Sequence, residues 1–379
     1  MQQRKKILVL IGTRPEAIKL APVIRILMDR VSDFETRILL TGQHKKMVKQ
    51  ALEVFGIKPD IELNAMKFAT SLGRLTSKLF SDVSQVLSNE KPAWILVQGD
   101  TTSALVGAVS AFYQKIKVGH VEAGLRTYNR WSPFPEEFNR TCISHVADIH
   151  FAPTIKARDS LLKLPDIIPD SIHVTGNTVV DALLWAREIL LDNIPNEIYK
   201  SIAHHIEDKK RLILVTSHRR ESFGTGLRNI CQALIEIASS NKDLFIVFPV
   251  HLNPNVKKPV YEALSSQSNI VLLPPVNYLS LVWLMSNAYI ILTDSGGIQE
   301  EATTFKKPIL ILRDVTERPE VLDSGFGILV GTDIEKTLYH FHQIFHNPSI
   351  YKSMTQSPNP FGDGQASQRI VNIITEYGD

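Results

Sequence analysis

Strand-length runs of apolar, mostly β-branched residues recur along the whole chain. They are Ile7 to Ile11, Arg37 to Leu40, Trp94 to Val97, Lys117 to Val121, Ile149 to Ala152 and Ile172 to Thr175, then Leu212 to Thr216, Phe245 to Val250, Ile270 to Leu273, Tyr289 to Thr293, Ile309 to Leu312 and Ile328 to Val330. The runs are continuous instead of alternating, as in strands covered on both faces, and helical patterns lie between them. Alternation of strand and helix predicts parallel sheets and an α/β fold. Each half opens with a strand followed by a polar turn, which predicts two Rossmann-like domains whose sheets face each other across a cleft. The boundary is expected soon after Asn177, giving domains over 1–177 and 178–363. Turn formers crowd Ser357 to Gly364, and the amphipathic stretch Gln365 to Tyr377 predicts a last helix, within 364–379, that packs back on the first domain.

Composition agrees with two packed domains: 379 residues exceed one ordinary core, and 44% hydrophobic with 21% charged residues is ordinary for a globular protein. A net charge of +3, with the cations scattered, gives no reason to expect nucleic acid or an anionic membrane as partner. Arg4-Lys5-Lys6 ahead of Ile7 imitates a signal peptide, but the apolar run stops at Gly12, and no run is long enough to span a bilayer. A cytoplasmic protein without membrane insertion is expected. Cys142 and Cys231, without a CxxC pattern, fit incidental thiols, and the 12 histidines include no HExxH spacing, so no metal site is expected.

The chemistry gathers at strand ends, where open α/β sheets place their ligands. In Gly12-Thr13-Arg14-Pro15-Glu16, Thr13 and Glu16 have capping-box spacing and Pro15 suits a first turn. Arg14 is not explained that way. A cation at the positive end of a helix is unfavourable by about 0.3–1 kcal/mol unless an anion binds there, and Lys19 follows one turn later. His218-Arg219-Arg220 after the first strand of the second half would suit a diphosphate. In Asp294-Ser295-Gly296-Gly297, the glycines would let backbone N–H groups approach phosphate, while Ser295 serves equally well as a helix cap. Glu301 could hold ribose hydroxyls or complement the helix dipole, and Arg313 adds a cation at the next strand end.

Three carboxylates, Asp100, Glu122 and Glu136, fall at neighbouring strand ends of the first half. Brought together, like charges raise one another's pKa and make a general acid or base. The bland readings are a helix cap for Asp100 and a dipole complement for Glu136. Read together, the cations of the second half would bind an anionic leaving group while the acids of the first handle protons.

Gly12-Thr13-Arg14-Pro15-Glu16, Gly99-Asp100-Thr101-Thr102, His120-Val121-Glu122-Ala123-Gly124, Pro135-Glu136-Glu137 with Asn139-Arg140, His218-Arg219-Arg220-Glu221, Asp294 to Glu301 and Thr316 to Glu320 together resemble the non-hydrolysing UDP-N-acetylglucosamine 2-epimerases over almost the whole chain. The resemblance implies a GT-B-like fold and a cytoplasmic homodimer that serves polysaccharide biosynthesis. It also implies interconversion of UDP-N-acetylglucosamine and UDP-N-acetylmannosamine through 2-acetamidoglucal, with no NAD or other cofactor and no essential metal. By the same resemblance Asp100, Glu122, Glu136 and His218 are catalytic. Arg14, Lys19, His218, Ser295, Gly296, Gly297 and Arg313 hold UDP, with Glu301 on its ribose.

Gln98, Ser222 and Thr303 depart from the family's common His, Asn and Pro without removing a proposed catalytic group. The resemblance also implies an effector site around Gln43, His44, Thr70, Arg219 and His251, where Thr70 stands in place of a common Gln, so weaker activation by substrate is expected. A GT-B glycosyltransferase using a UDP-sugar donor would share the fold but would not need three clustered acids. The hydrolysing 2-epimerases lack the Arg-Pro-Glu-Ala sequence after strand one, and a non-catalytic nucleotide-sugar sensor would not need the acids intact.

Overall fold

The apolar runs become two parallel sheets in the computed structural model, which describes residues 4–42, 45–65, 71–191 and 193–377. Gln43, His44 and Thr70 lie outside the described residues. The first sheet contains β1 (Lys5–Ile11), β2 (Phe34–Leu40), β3 (Ile61–Glu62), β4 (Trp94–Gln98), β5 (Lys117–Val121), β6 (Ile149–Ala152) and β7 (Ile172–Val174), in the order β3-β2-β1-β4-β5-β6-β7. The second contains β8 (Arg211–Thr216), β9 (Leu244–Pro249), β10 (Ile270–Leu273), β11 (Ile290–Thr293), β12 (Ile309–Ile311) and β13 (Gly327–Leu329), in the order β10-β9-β8-β11-β12-β13. All strand pairs in both sheets are parallel, as the continuous apolar runs require. The two-residue β3 is not among the expected strands. It is too short to carry an apolar run of its own and exists by pairing with Leu39 and Leu40.

Each sheet is covered by helices whose apolar residues recur at helical spacing. Leu75, Leu79, Val83 and Leu87 form one buried face of the helix Leu72–Glu90 and pack against Leu8, Leu10, Ile95 and Val97. In the second sheet Leu227, Ile230, Leu234 and Ile237 of the helix Thr225–Ser240 cover Ile213, Val215 and Phe248. Fully burying one such side chain contributes about 1.5–3 kcal/mol, so these faces hold the strand ends in fixed register.

The chain divides into Met1–Trp185 with Phe361–Asp379, and Ala186–Pro360. It passes from the first unit to the second inside the helix Thr178–Leu190. The last helix, Ala366–Glu376, lies against the helix Arg14–Asp29. Asp181 anchors its start by accepting the Ser367 N–H at 2.8 Å, and Arg30 donates to Asn372 near its end.

In each sheet the first strand lies between the second and the fourth, β1 between β2 and β4 and β8 between β9 and β11. At that point successive connections leave in opposite directions and open a crevice at the carboxyl ends of the strands. The motifs after β1, β4, β8 and β11 therefore stand where this architecture binds ligands.

Candidate active site

The turn after β1 is closed by its own chain. Glu16, one turn into the helix Arg14–Asp29, reaches back so that its Oε2 accepts the N–H groups of Gly12 and Thr13, while Oε1 accepts the Thr101 hydroxyl at 2.7 Å. Burial pushes its carboxyl up to about 7 against these donors. Gly12 is a packing glycine, because a Cβ there would stand 2.4 Å from Ser103 Oγ. An anion at this turn would find the Gly12 and Thr13 N–H groups already taken, leaving Arg14 to bind it by its side chain. Arg14 is half-buried and pairs with no carboxylate among the described residues.

Asp100 and Glu122 follow the neighbouring strands β4 and β5, and each is paired with a cation. The Arg140 guanidinium donates to Asp100 Oδ2 through Nε at 3.0 Å and also through Nη2. Burial still pushes the Asp100 carboxyl above its usual range. Arg140 and Lys19 oppose that rise, and the charge of Glu136 adds to it. Glu122 takes the Lys19 ammonium on Oε1, where Asn177 Nδ2 also donates at 3.1 Å, and the Gln98 amide on Oε2. Its backbone has φ +65°, a left-handed conformation costly for a glutamate and sustained here by the surrounding contacts. Asp100, Glu122, Glu136, Lys19 and Arg140 thus form one electrostatic cluster. Arg126 is used elsewhere, donating to Ser144 Oγ and the Leu125 carbonyl. Glu137, beside Glu136, accepts the Thr127 and Tyr128 N–H groups and pairs with Arg140, so it fastens the preceding loop.

In the second unit a carboxylate again organises a strand-end turn, but it comes from the adjacent strand. Asp294, 0% exposed, accepts the Ser217 hydroxyl and the N–H groups of His218 and Arg219 on Oδ2, all within 2.8–2.9 Å. Its Oδ1 lies 3.4 Å from His218 Nδ1. Burial lowers the His218 pKa against the pull of Asp294, and the ring stacks on His251 with centroids 5.8 Å apart. Paired threonine hydroxyls, Thr216 on Thr293 at 2.6 Å, join the ends of β8 and β11.

The turn after β11 is open. Ser295 caps the helix Gly296–Thr304 by accepting the Ile298 N–H. A Cβ on Gly296 would meet nothing closer than Arg219 Nη2 at 4.0 Å, and one on Gly297 nothing closer than Ser295 Oγ at 3.9 Å, with Glu301 Oε1 at 4.0 Å. Neither glycine has positive φ. Packing and backbone conformation therefore leave both glycines unexplained, while close approach of an anion to the helix N-terminus explains them.

The structure thus gathers Asp100, Glu122, Glu136 and Lys19 in the first unit, and His218, Arg219, His251, Ser295, Gly296, Gly297 and Glu301 around one crevice of the second. Two cations differ from a simple anion-binding picture: Lys19 is paired with Glu122, and Arg313 with Glu221 at 2.5 Å. Sequence reading missed the roles of Asn177, Gln98 and Asp294. Their partners lie 55, 24 and about 77 residues away, and no local pattern marks such contacts.

The family model described as UDP-N-acetylglucosamine 2-epimerase matches residues 27–375. UDP-N-acetylglucosamine 2-epimerase of Salmonella typhimurium is 46% identical over 375 residues, 98% of this chain and 99% of that protein. A crystal structure of the Neisseria meningitidis UDP-GlcNAc 2-epimerase bound to UDP-GlcNAc superposes with a TM-score of 0.87 at 45% identity, covering 97% of this chain and 99% of that one. The Methanocaldococcus jannaschii enzyme in complex with UDP-GlcNAc and UDP superposes with a TM-score of 0.78 at 38% identity, covering 98% and 100%. With the acid cluster, the open glycine turn and full-length similarity in agreement, the chain belongs to the UDP-N-acetylglucosamine 2-epimerase family.

Proposed function

We propose that this chain interconverts UDP-N-acetylglucosamine and UDP-N-acetylmannosamine by eliminating and re-adding UDP, without hydrolysis. The observation that carries this reading is the pair of cation-held carboxylates, Asp100 and Glu122, at the ends of adjacent strands with Lys19 acting on both. The hydrogen on sugar C2 is scarcely acidic, so it leaves only as the C1–O bond to UDP stretches and charge develops at C1. A carboxylate takes the proton, the C2–H electron pair becomes the C1–C2 double bond of 2-acetamidoglucal, and UDP departs with the C1–O pair. Return of the proton on the opposite face, with UDP adding back to C1, gives the epimer. The steps are redox-neutral. Two faces need at least two proton-transfer groups, and these are drawn from Asp100, Glu122 and Glu136.

UDP departs as an anion, and the second unit has the groups to take it: the open Gly296-Gly297 turn at a helix N-terminus, His218 aligned by Asp294, and Glu301 just past the first turn of that helix. The UDP-GlcNAc held by the Neisseria enzyme, and the UDP-GlcNAc and UDP held by the Methanocaldococcus enzyme, support a UDP-sugar as the substrate. The product would feed synthesis of a surface polysaccharide. Turnover in deuterated water tests the mechanism: deuterium should enter C2 of both sugars, and full retention of the C2 hydrogen during epimerisation would exclude elimination.

A further inference from the structure

Asp100 hangs from a short turn between β4 and the helix Thr102–Tyr113, and the residue before it, Gly99, has φ +68°. A glycine in that region leaves the following peptide free to rotate, because either orientation of its carbonyl is sterically open. Here groups from β5 and from the helix Glu136–Val146 fix it. The Gly99 N–H donates to the Val121 carbonyl at 3.0 Å, the Gly99 carbonyl accepts from His120 Nε2 at 2.8 Å, and the Asp100 carbonyl accepts from Asn139 Nδ2 at 2.8 Å. A carbonyl only accepts, so Nε2 carries a hydrogen and is the donor.

His120 is 0% exposed and Asn139 3%. His120 Nδ1 has no hydrogen-bond partner among the described residues, which makes the buried imidazole unfavourable there except for what Nε2 holds. Burial, reinforced by His150, Arg126 and Arg140, pushes its pKa down to about 3, so it stays neutral throughout the working range.

We propose that His120 and Asn139 are positioning residues for Asp100: their N–H groups lock the two carbonyls of the Gly99-Asp100 turn and thereby aim the carboxylate that Arg140 pairs with. Arg140 holds the charge, and these two hold the backbone beneath it. The inference rests on the proton-transfer reading of Asp100. Displacement of a reacting group by about 1 Å costs on the order of 100-fold in rate, so loss of the clamp acts through geometry.

The test compares His120→Leu, which removes the donor at similar volume, with His120→Gln, whose amide reaches the place of Nε2. The His120→Leu enzyme should lose about 10- to 100-fold in kcat with KM and UDP affinity held, and His120→Gln should recover most of it. In an Asp100→Asn background, His120→Leu should cost nothing further. Carboxyl-carbon NMR of selectively labelled aspartate reads the clamp without turnover, and the Asp100 titration midpoint should move in His120→Leu but not in His120→Gln. Asn139→Ala gives the same readouts should the leucine chain fail to fold. An unmoved Asp100 midpoint, or a kcat loss fully additive with Asp100→Asn, overturns the clamp. Unchanged kcat in Asp100→Asn alone instead removes the proton-transfer reading, while the NMR midpoint still decides the clamp.

Discussion

The two switch points answer the same backbone demand in different ways. After β1, the N–H groups of Gly12 and Thr13 are satisfied by Glu16, a residue of the same turn, and Gly12 is packed against Ser103. After β8, the N–H groups of His218 and Arg219 are satisfied by Asp294 from the neighbouring strand, and the glycine turn that follows Asp294 stays open. Closing the first turn from within leaves only side chains to do chemistry there: Arg14, Lys19 and the acids of β4 and β5. Bringing the carboxylate across strands in the second keeps a backbone cradle at a helix N-terminus. One architecture thus yields a turn closed by its own chain and a turn left open, according to where the organising carboxylate comes from, and the proposed function assigns proton transfer to the first crevice and anion binding to the second.

The largest effect should appear at the acids. Asp100→Asn or Glu122→Gln should lower kcat by roughly 100-fold or more while UDP affinity changes little, since general acid–base roles contribute about 10²–10⁴-fold. Steady-state kinetics beside UDP titration separates the two quantities, and a loss confined to UDP binding would move the carboxylate to the nucleotide.

Glu16 sharpens the comparison through pH. Its folded pKa of about 7 is raised above the ordinary 4.5, so its contribution to stability is fully present below about pH 4.5 and is lost as pH rises through 7. The shift corresponds to about 3 kcal/mol. Unfolding free energies of wild type and Glu16→Gln should therefore diverge with pH between these values, and a pH-independent difference would show that the donors to Glu16 outweigh its burial.

The glycines should part company next. Gly12→Ala drives a Cβ into Ser103 and should destabilise the protein by about 1–3 kcal/mol. Gly297→Ala has room and gains helix propensity, so stability should hold or rise by about 0.5–1 kcal/mol. Its UDP affinity should nevertheless fall about tenfold, or about 1.4 kcal/mol. Melting curves with and without UDP read both variants, and equal UDP affinity in Gly297→Ala and wild type would close the cradle as a phosphate site.

Much of this was legible in the sequence, and the boundary between what was and was not is physical. Continuous apolar runs announce buried parallel strands because the fold covers both faces of each sheet, and strand-end motifs announce crevices because the topology puts them there. Glu16 was readable as a cap because its partners Gly12 and Thr13 are four residues away or fewer. Its third partner, Thr101, was not, nor was Asp294 as the holder of His218, because parallel-strand neighbours are separated by whole crossover connections. Lys19 and Arg313 were readable as cations at crevices, but their pairing with Glu122 and Glu221 depends on side chains that only the folded sheets bring together.

The division of labour between the crevices is tested most directly by Asp100→Asn and Gly297→Ala together, each incubated with UDP-N-acetylglucosamine in deuterated water. C2 deuterium is read by NMR and UDP affinity by calorimetry on the same samples. Asp100→Asn should keep wild-type UDP affinity and lose C2 exchange even at saturation, whereas Gly297→Ala should bind UDP weakly and recover exchange once substrate is raised. Exchange surviving in Asp100→Asn, or exchange lost in Gly297→Ala at saturating substrate, would contradict the assignment of proton transfer to the first crevice and anion binding to the second.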